Sequence, residues 1–276
     1  MAEGMTKEAV AGDVALITGA SSGLGAAFAR QLAARGCALI LVARRVERLQ
    51  KLADELSIQH HVAAEVVAAD LAQEPEMARV EQRILQCNNL TFLVNNAGFG
   101  SGGMYYQTDA SRQFDMLRLH TLAPARLIRA ALPGMVERKR GSIINVASIA
   151  AFASVPTSAM YSATKRWMVS FSEALAAELQ NTGVRVQALC PGFTRTEFHD
   201  TPAYRDFDRS VVPDFLWMSA DEVVRRSLSA MERGKVVFIP GFWNRLVVWA
   251  LRLPFVPVLA RYYGRRRWRD KTNRVA

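Results

Sequence analysis

Cysteine is scarce in this 276-residue sequence: Cys37, Cys87 and Cys190 are odd in number, far apart and without metal-ligand spacing. That argues against a disulfide framework, offers no metal site, and points to a reduced, cytosolic chain. No stretch of about 18 uninterrupted apolar residues is present, which argues against a conventional membrane span. The opening segment, Met1 to Glu8, carries acid and no long apolar run, so no secretory signal is expected. Nor is there a Gly/Ser-rich linker, an internal repeat or a low-complexity stretch to divide the chain. With 50% hydrophobic residues, disorder is excluded and a buried core is expected.

Acid is also lacking in one place. The net charge is +10, and residues 244–276 hold nine basic residues against Asp270 alone, so +8 belongs to that segment. The first 243 residues carry only +2, the balance of an ordinary globular body. One arginine cluster beside a near-neutral body falls short of a nucleic-acid-binding face, so no nucleic-acid partner is expected.

Short apolar runs at 14–17, 38–42, 62–69, 90–94, 142–146, 184–189 and 236–239 alternate with helical patterns. The helices are expected near 23–35, 45–57, 73–87, 108–137, 158–181 and 220–233, with Gly36 and Gly183 as stops. This alternation predicts an α/β fold, a doubly wound parallel sheet of about seven strands. Residues 192–219 lack a clear period and read as a long functional loop. Residues 1–240 are therefore expected to form one domain with a lid at 192–219, and 241–276 an appended extension.

The first strand runs directly into Thr18-Gly-Ala-Ser-Ser-Gly-Leu-Gly25 and then a helix. Glycines there allow a sharp turn and close approach of backbone to a pyrophosphate. The helix N-terminus supplies N–H groups and a favourable dipole. Strand, glycine turn and helix, as the first unit of the chain, predict nucleotide binding.

The spacing of Gly19, Gly23 and Gly25 resembles the T-G-x-x-x-G-x-G of the short-chain dehydrogenase/reductase family. Further family marks follow in order: Asp70-Leu71, Asn95-Asn-Ala-Gly98, Ser148, Tyr161-x-x-x-Lys165 and Pro191-Gly192. The resemblance covers about residues 12–240 and implies a Rossmann-like fold, a nicotinamide cofactor and a homo-oligomer, dimer or tetramer. It places Thr18, Gly19, Ser21, Ser22, Gly23, Leu24, Gly25, Ala97 and Gly98 in the cofactor site. It implies that Asp70, with Leu71 beside it, faces the adenine amine and that Asn95 braces the cofactor loop. Pro191, Gly192 and Thr194 would flank the nicotinamide.

The end of the second strand bears on which cofactor. An acid about 20 residues past the glycines suits NAD, whereas an arginine accommodates the 2′-phosphate of NADP. Here the strand ends in Arg44-Arg45, and no acid occurs from Ala26 to Val46. Two readings stand: the arginines grip a phosphate, or they are a solvated helix start. Arginine is unfavourable at the positive end of a helix dipole, so NADP(H) is preferred.

Tyr161 and Lys165 lie four apart in a helical pattern and share a face. An ammonium beside a phenol of reference pKa about 10 favours phenolate. The resemblance implies that Ser148, 13 residues ahead of Tyr161, hydrogen-bonds the substrate oxygen and that Tyr161 supplies or removes its proton. Lys165 would also hold the nicotinamide ribose, as general acid–base chemistry beside a hydride carrier. One departure is His120, where the family usually has an Asn held in a helix distortion whose main-chain carbonyl anchors a relay water. A histidine there either takes part in a relay that titrates near neutrality or has no catalytic part.

The lid carries Phe193, Phe198, Tyr204, Phe207, Phe215, Leu216, Trp217 and Met218. These either line an apolar substrate site or pack the lid onto the body. Cys190 reads as a packed strand residue. Residues 241–253 read as an almost wholly apolar helix with Arg245 and Arg252 on one stripe, followed by cations interleaved with aromatics. This suits peripheral contact with an anionic membrane, or packing on the body or a sister subunit. The expected activity is NADP(H)-dependent hydride transfer at a carbonyl or alcohol of an apolar, lipid-like substrate. The alternative is a catalytically weak nucleotide-binding protein on the same fold.

Overall fold

A computed structural model of the chain describes residues 12–153, 156–201, 204 and 208–252. Its frame is a succession of strands that read as almost unbroken apolar runs because both faces are covered. β1 (Val14–Thr18), α1 (Gly23–Ala33), β2 (Ala38–Ala43), α2 (Val46–His60) and β3 (Ala64–Ala68) form the first half. α3 (Glu74–Leu85), β4 (Leu90–Asn95), α4 (Ala110–Leu117), α5 (Ala123–Glu137) and β5 (Gly141–Val146) follow. α6 (Ala159–Glu178) leads into β6 (Val184–Leu189), and the short pair β7 (Thr194–Arg195) and β8 (Met218–Ser219) brackets the lid. α7 (Ala220–Glu232), β9 (Val237–Phe238) and α8 (Phe242–Leu251) complete the described chain.

Among the described residues the main sheet has seven strands in the order β3-β2-β1-β4-β5-β6-β9, with every pairing parallel. It is the expected Rossmann-like doubly wound fold. Alternation within each strand divides the core in two. Ala15 and Ile17 of β1 pack with Phe28, Leu49 and Val224 from α1, α2 and α7. Leu16 packs on the other face with Met77, Leu127 and Leu175 from α3, α5 and α6. The chain reverses direction across the sheet between β1 and β4, so their C-terminal ends flank a crevice, the usual ligand position in such sheets.

Two expectations change and one holds. The single helix expected over 108–137 is broken by a π turn, Arg118–Leu122, in which the Ala123 amide donates to the Arg118 carbonyl. The break falls on His120. Gly36 does end α1, with φ of 84° and the paired Gly36-to-Ala33 and Cys37-to-Leu32 hydrogen bonds of a left-handed cap. Gly183 stands beyond the end of α6: that helix stops at Glu178, and the turn into β6 takes two left-handed residues, Asn181 with φ of 65° and Gly183 with φ of 80°.

The lid is closed at its base by β7 and β8, which pair Thr194 with Met218 and Arg195 with Ser219. α8 docks through Asn244 and Val248, the Asn244 amide donating to the Pro240 carbonyl at 3.1 Å. No helix among the described residues is long and apolar enough to cross a membrane.

Candidate active site

A cavity of about 740 Å³ opens over the C-terminal ends of β1, β4 and β5 and runs beneath the lid. One end is built by the glycine turn. Gly19 has φ of 67°, and a Cβ on Gly25 would strike the Gly19 carbonyl and the Asn96 amide, so neither position tolerates a side chain. Ser22 occupies the N-cap of α1 without capping it; its Oγ accepts from Arg45 at 2.7 Å instead. The first turn of α1 contains no acid. Amide groups at this helix start and a glycine cradle suit the phosphates of a dinucleotide.

The turn is held from behind. Thr18 Oγ1 donates to the Val94 carbonyl at 3.3 Å and accepts the Asn96 and Ala97 amides at 2.9 and 3.0 Å. Asn96 Nδ2 donates to the Thr18 carbonyl at 2.9 Å and the Gly19 carbonyl at 3.2 Å. The brace expected of Asn95 therefore comes from its neighbour. Asn95 points the opposite way, donating to Asn145 Oδ1 at 2.8 Å, because side chains alternate along β4. Thr18, Gly25, Asn95 and His120 stand behind the cavity wall, whereas Gly19, Ser21, Ser22, Gly23, Leu24, Ala97 and Gly98 line it.

At the far end of that half, Arg44, Arg45, Asp70 and Leu71 line the wall. Arg44 lies 3.6 Å from the Asp70 carboxylate. Asp70 Oδ1 also accepts the Ala72 amide at 3.1 Å. Arg45 donates to both Ser21 and Ser22 hydroxyls and to Glu197 of the lid. Guanidiniums beside two hydroxyls form a donor set that fits a ribose phosphate.

Ser148, Tyr161 and Lys165 converge at the other end. Ser148 starts a short 3₁₀ turn (Ile149–Phe152), and its Oγ accepts the Ala150 amide at 3.1 Å. Lys165 Nζ donates to the Val146 carbonyl at 2.8 Å and lies 5.7 Å from the centre of the Tyr161 ring. Burial pushes the Tyr161 phenol above its ordinary pKa, with Tyr204 adding to the rise and a hydrogen bond from Ser148 opposing it. Desolvation thus favours the protonated phenol, not the phenolate expected beside an ammonium. Burial brings the Lys165 ammonium down to about 8. The buried Cys190 thiol is pushed up to about 12, chiefly by desolvation, as befits a packed residue.

His120 is completely buried in the π turn. Its Nε2 accepts the Phe99 amide hydrogen at 3.2 Å, and its Nδ1 lies 3.0 Å from Thr164 Oγ1. Burial first, and Lys165 second, hold its pKa well below the ordinary value. The ring is neutral rather than titrating near pH 7.

The lid aromatics divide between the two roles left open by the sequence. Phe193, Phe198 and Tyr204 line the cavity, with Phe198 6.1 Å from Tyr161 and 5.4 Å from Tyr204 between ring centres. Trp217 packs on Phe193, and Phe215 on Trp243 of α8. Phe207 lies outside the described residues. Pro191, Gly192 and Thr194 line the cavity between the halves, the Thr194 hydroxyl donating to the Gly192 carbonyl at 3.1 Å. Thr196 also lines it and packs where a Cβ of Gly23 would lie, a contact for which the local sequence carries no signal.

Residues 13–203 match the family model for short chain dehydrogenases. A human protein named inactive hydroxysteroid dehydrogenase-like protein 1 is 33% identical over 66% of this chain, which spans 56% of that relative's length. A short-chain dehydrogenase from Sphingobium yanoikuyae, solved in complex with NADPH, superposes with a TM-score of 0.78 at 36% identity, covering 85% of this chain and 92% of that one. A bulky-bulky ketone specific alcohol dehydrogenase from Comamonas testosteroni gives a TM-score of 0.74 at 35% identity over 84% and 90% of the two chains.

Proposed function

Because the chain belongs to the short-chain dehydrogenase/reductase family, we propose that it is an NADP(H)-dependent oxidoreductase reducing a carbonyl on an apolar substrate. The observation that carries this reading is the convergence of Ser148, Tyr161 and Lys165 on one cavity whose opposite end holds the glycine turn and Arg44-Arg45. The glycine turn and α1 start would hold the pyrophosphate, Arg44 and Arg45 the 2′-phosphate, and Lys165 the nicotinamide ribose. When bound, the nicotinamide supplies the hydride.

The rest is done by side chains of this protein. Ser148 positions the carbonyl oxygen by a hydrogen bond. Tyr161, kept protonated by its burial, gives that oxygen its proton as negative charge develops. Lys165 stabilises the phenolate so formed, and His120 acts as a neutral strut rather than an acid. Phe99, Leu119, Phe193 and Phe198 give the substrate half of the cavity an apolar wall, which suits a bulky ketone or lipid-like carbonyl.

The alternative is a nucleotide-binding protein without turnover. A relative that carries "inactive" in its name gives that reading some footing, but the intact Ser148–Tyr161–Lys165 arrangement favours the enzyme. NADPH oxidation followed across a panel of steroids, retinoids, acyl thioesters and simple ketones tests it. Turnover confined to bulky apolar carbonyls supports the proposal; binding of NADPH with no turnover on any class supports the alternative.

The same proposal extends to placement in the cell: a cytoplasmic protein in peripheral contact with anionic membrane, residues 1–240 being the catalytic unit. α8 turns Phe242, Trp243, Leu246 and Trp249 outward beside exposed Phe215. Arg225, Arg226, Arg233 and Arg245 line a recess next to them. Apolar side chains near cations, of which Arg225 and Arg226 also pair with Glu222, suit the interface of an anionic bilayer. Leu251, at the end of the same helix, lines the active-site cavity, which would bring the entrance close to a membrane-dissolved substrate. The basic residues 253–274 lie outside the described residues. Exposed Phe114, Leu117 and Leu122 offer a separate apolar face for a second copy, in keeping with a dimer or tetramer.

A further inference from the structure

Glu197 lies in the lid, 152 residues from Arg45 in the chain, yet its carboxylate sits at the arginine end of the cavity. One oxygen accepts from Arg45 Nη1 at 3.0 Å, and Arg48, one turn further along α2, donates to both oxygens at 2.6 and 2.8 Å. The two guanidiniums hold the Glu197 carboxyl below its ordinary pKa. Arg45 simultaneously donates to Ser21 and Ser22 on the glycine turn. A carboxylate bound by two arginines, one of which also reaches two hydroxyls, occupies the donors that a phosphate, with its greater charge and third oxygen, would use.

We infer that Glu197 is an internal stand-in for the 2′-phosphate of the cofactor, and that the phosphate must displace it from Arg45 and Arg48 to bind. The inference rests on the NADP(H) reading above and names the lid residue that sets its strength. An exposed ion pair is weak enough to be exchanged for a dianion. The exchange reaches the reacting end through the chain itself. Glu197 begins the 3₁₀ turn Glu197–Asp200, whose next residue, Phe198, packs against Tyr161. Thr196, just before it, rests on Gly23 of the glycine turn. Release of Glu197 therefore frees the segment that lies over both halves of the cavity. A nucleotide lacking the 2′-phosphate leaves the latch closed.

Calorimetric titration of the full chain with 2′,5′-ADP, NADP+, 5′-AMP and NAD+ tests this, comparing wild type with Glu197→Gln. The inference predicts that Glu197→Gln binds 2′,5′-ADP and NADP+ about tenfold more tightly, roughly 1.4 kcal/mol, with NAD+ and 5′-AMP unchanged within about twofold, or roughly 0.4 kcal/mol. Trypsin cleavage between residues 195 and 217 should be accelerated by 2′,5′-ADP in wild type and already fast in the variant without it. Unchanged or weaker 2′,5′-ADP binding in the variant overturns the inference, as does an equal gain for NAD+. Equal affinity of wild type and variant alike for NADP+ and NAD+ would instead overturn the NADP(H) reading beneath it.

Discussion

His120 and Thr164 are joined by a hydrogen bond of 3.0 Å between Nδ1 and Oγ1, and its direction is fixed by their other partners. Nε2 of the ring accepts the Phe99 amide hydrogen, so the ring proton must reside on Nδ1. The Thr164 hydroxyl hydrogen is used on the Tyr161 carbonyl at 3.0 Å, which leaves its oxygen to accept. One neutral imidazole thus ties the loop after β4 and the π turn to the helix that carries Tyr161 and Lys165.

A neutral, buried His120 makes stability, rather than catalysis, sensitive to acid. Its folded pKa lies below the value of about 6.5 it regains on unfolding. Below pH ~6.5 the unfolded chain takes up a proton that the folded chain refuses. Stability from this residue is therefore complete above pH ~6.5 and falls by up to about 1.4 kcal/mol per pH unit below it. His120→Asn should remove that slope in denaturant titrations between pH 5 and 7. It should also lower stability at pH 7.5 by about 1–3 kcal/mol, since Asn cannot reach both partners. Turnover should stay within about threefold of wild type or rise, a change under ~0.7 kcal/mol. Loss of turnover with the fold intact would give His120 a chemical role.

Lys165 carries the pH dependence of the reaction. With its ammonium brought down to about 8, it is charged at neutrality and loses its proton through that value. Carbonyl reduction should be level from pH 6 to about 7.5 and fall as pH rises past 8. A profile of kcat/KM that stays level to pH 10 would contradict this.

Membrane contact is separable from catalysis by truncation. The intact chain should co-sediment with vesicles rich in anionic lipid at low salt and be released as salt rises. A chain ending after Pro240 should stay in the supernatant. Trp243→Ala together with Trp249→Ala should weaken sedimentation without changing oligomer size. If neither the intact nor the shortened chain sediments, the membrane contact is absent. If the truncation instead alters the oligomer, α8 is a subunit interface.

Much of this was legible in the sequence because local patterns determined it. The strand from Val14 to Thr18, the glycine turn and the buried faces of the helices follow from periodicity and turn chemistry. What escaped depends on distant partners or backbone detail. The helical pattern over 108–137 has no local mark of a π turn at His120, whose partners Phe99 and Thr164 lie 21 and 44 residues away. Asn95 ends β4 and Asn96 follows it, so only the point where the strand ends, with Asn95 paired to Asn145, assigns the brace to Asn96. The protonated state of Tyr161 follows from its burial, which no spacing reveals. Glu197 meets Arg45 only because the lid folds back over the start of α1.

The central claim is that Tyr161 donates the proton in an NADPH-dependent carbonyl reduction. It is tested most directly by single-turnover oxidation of bound NADPH with a bulky apolar ketone, in wild type and Tyr161→Phe side by side. The account predicts that the variant binds NADPH within about threefold of wild type, a difference under ~0.7 kcal/mol. It also predicts a hydride-transfer rate lower by at least about a thousandfold, or ~4 kcal/mol. A variant that keeps more than a tenth of the wild-type rate would show that the proton comes from elsewhere.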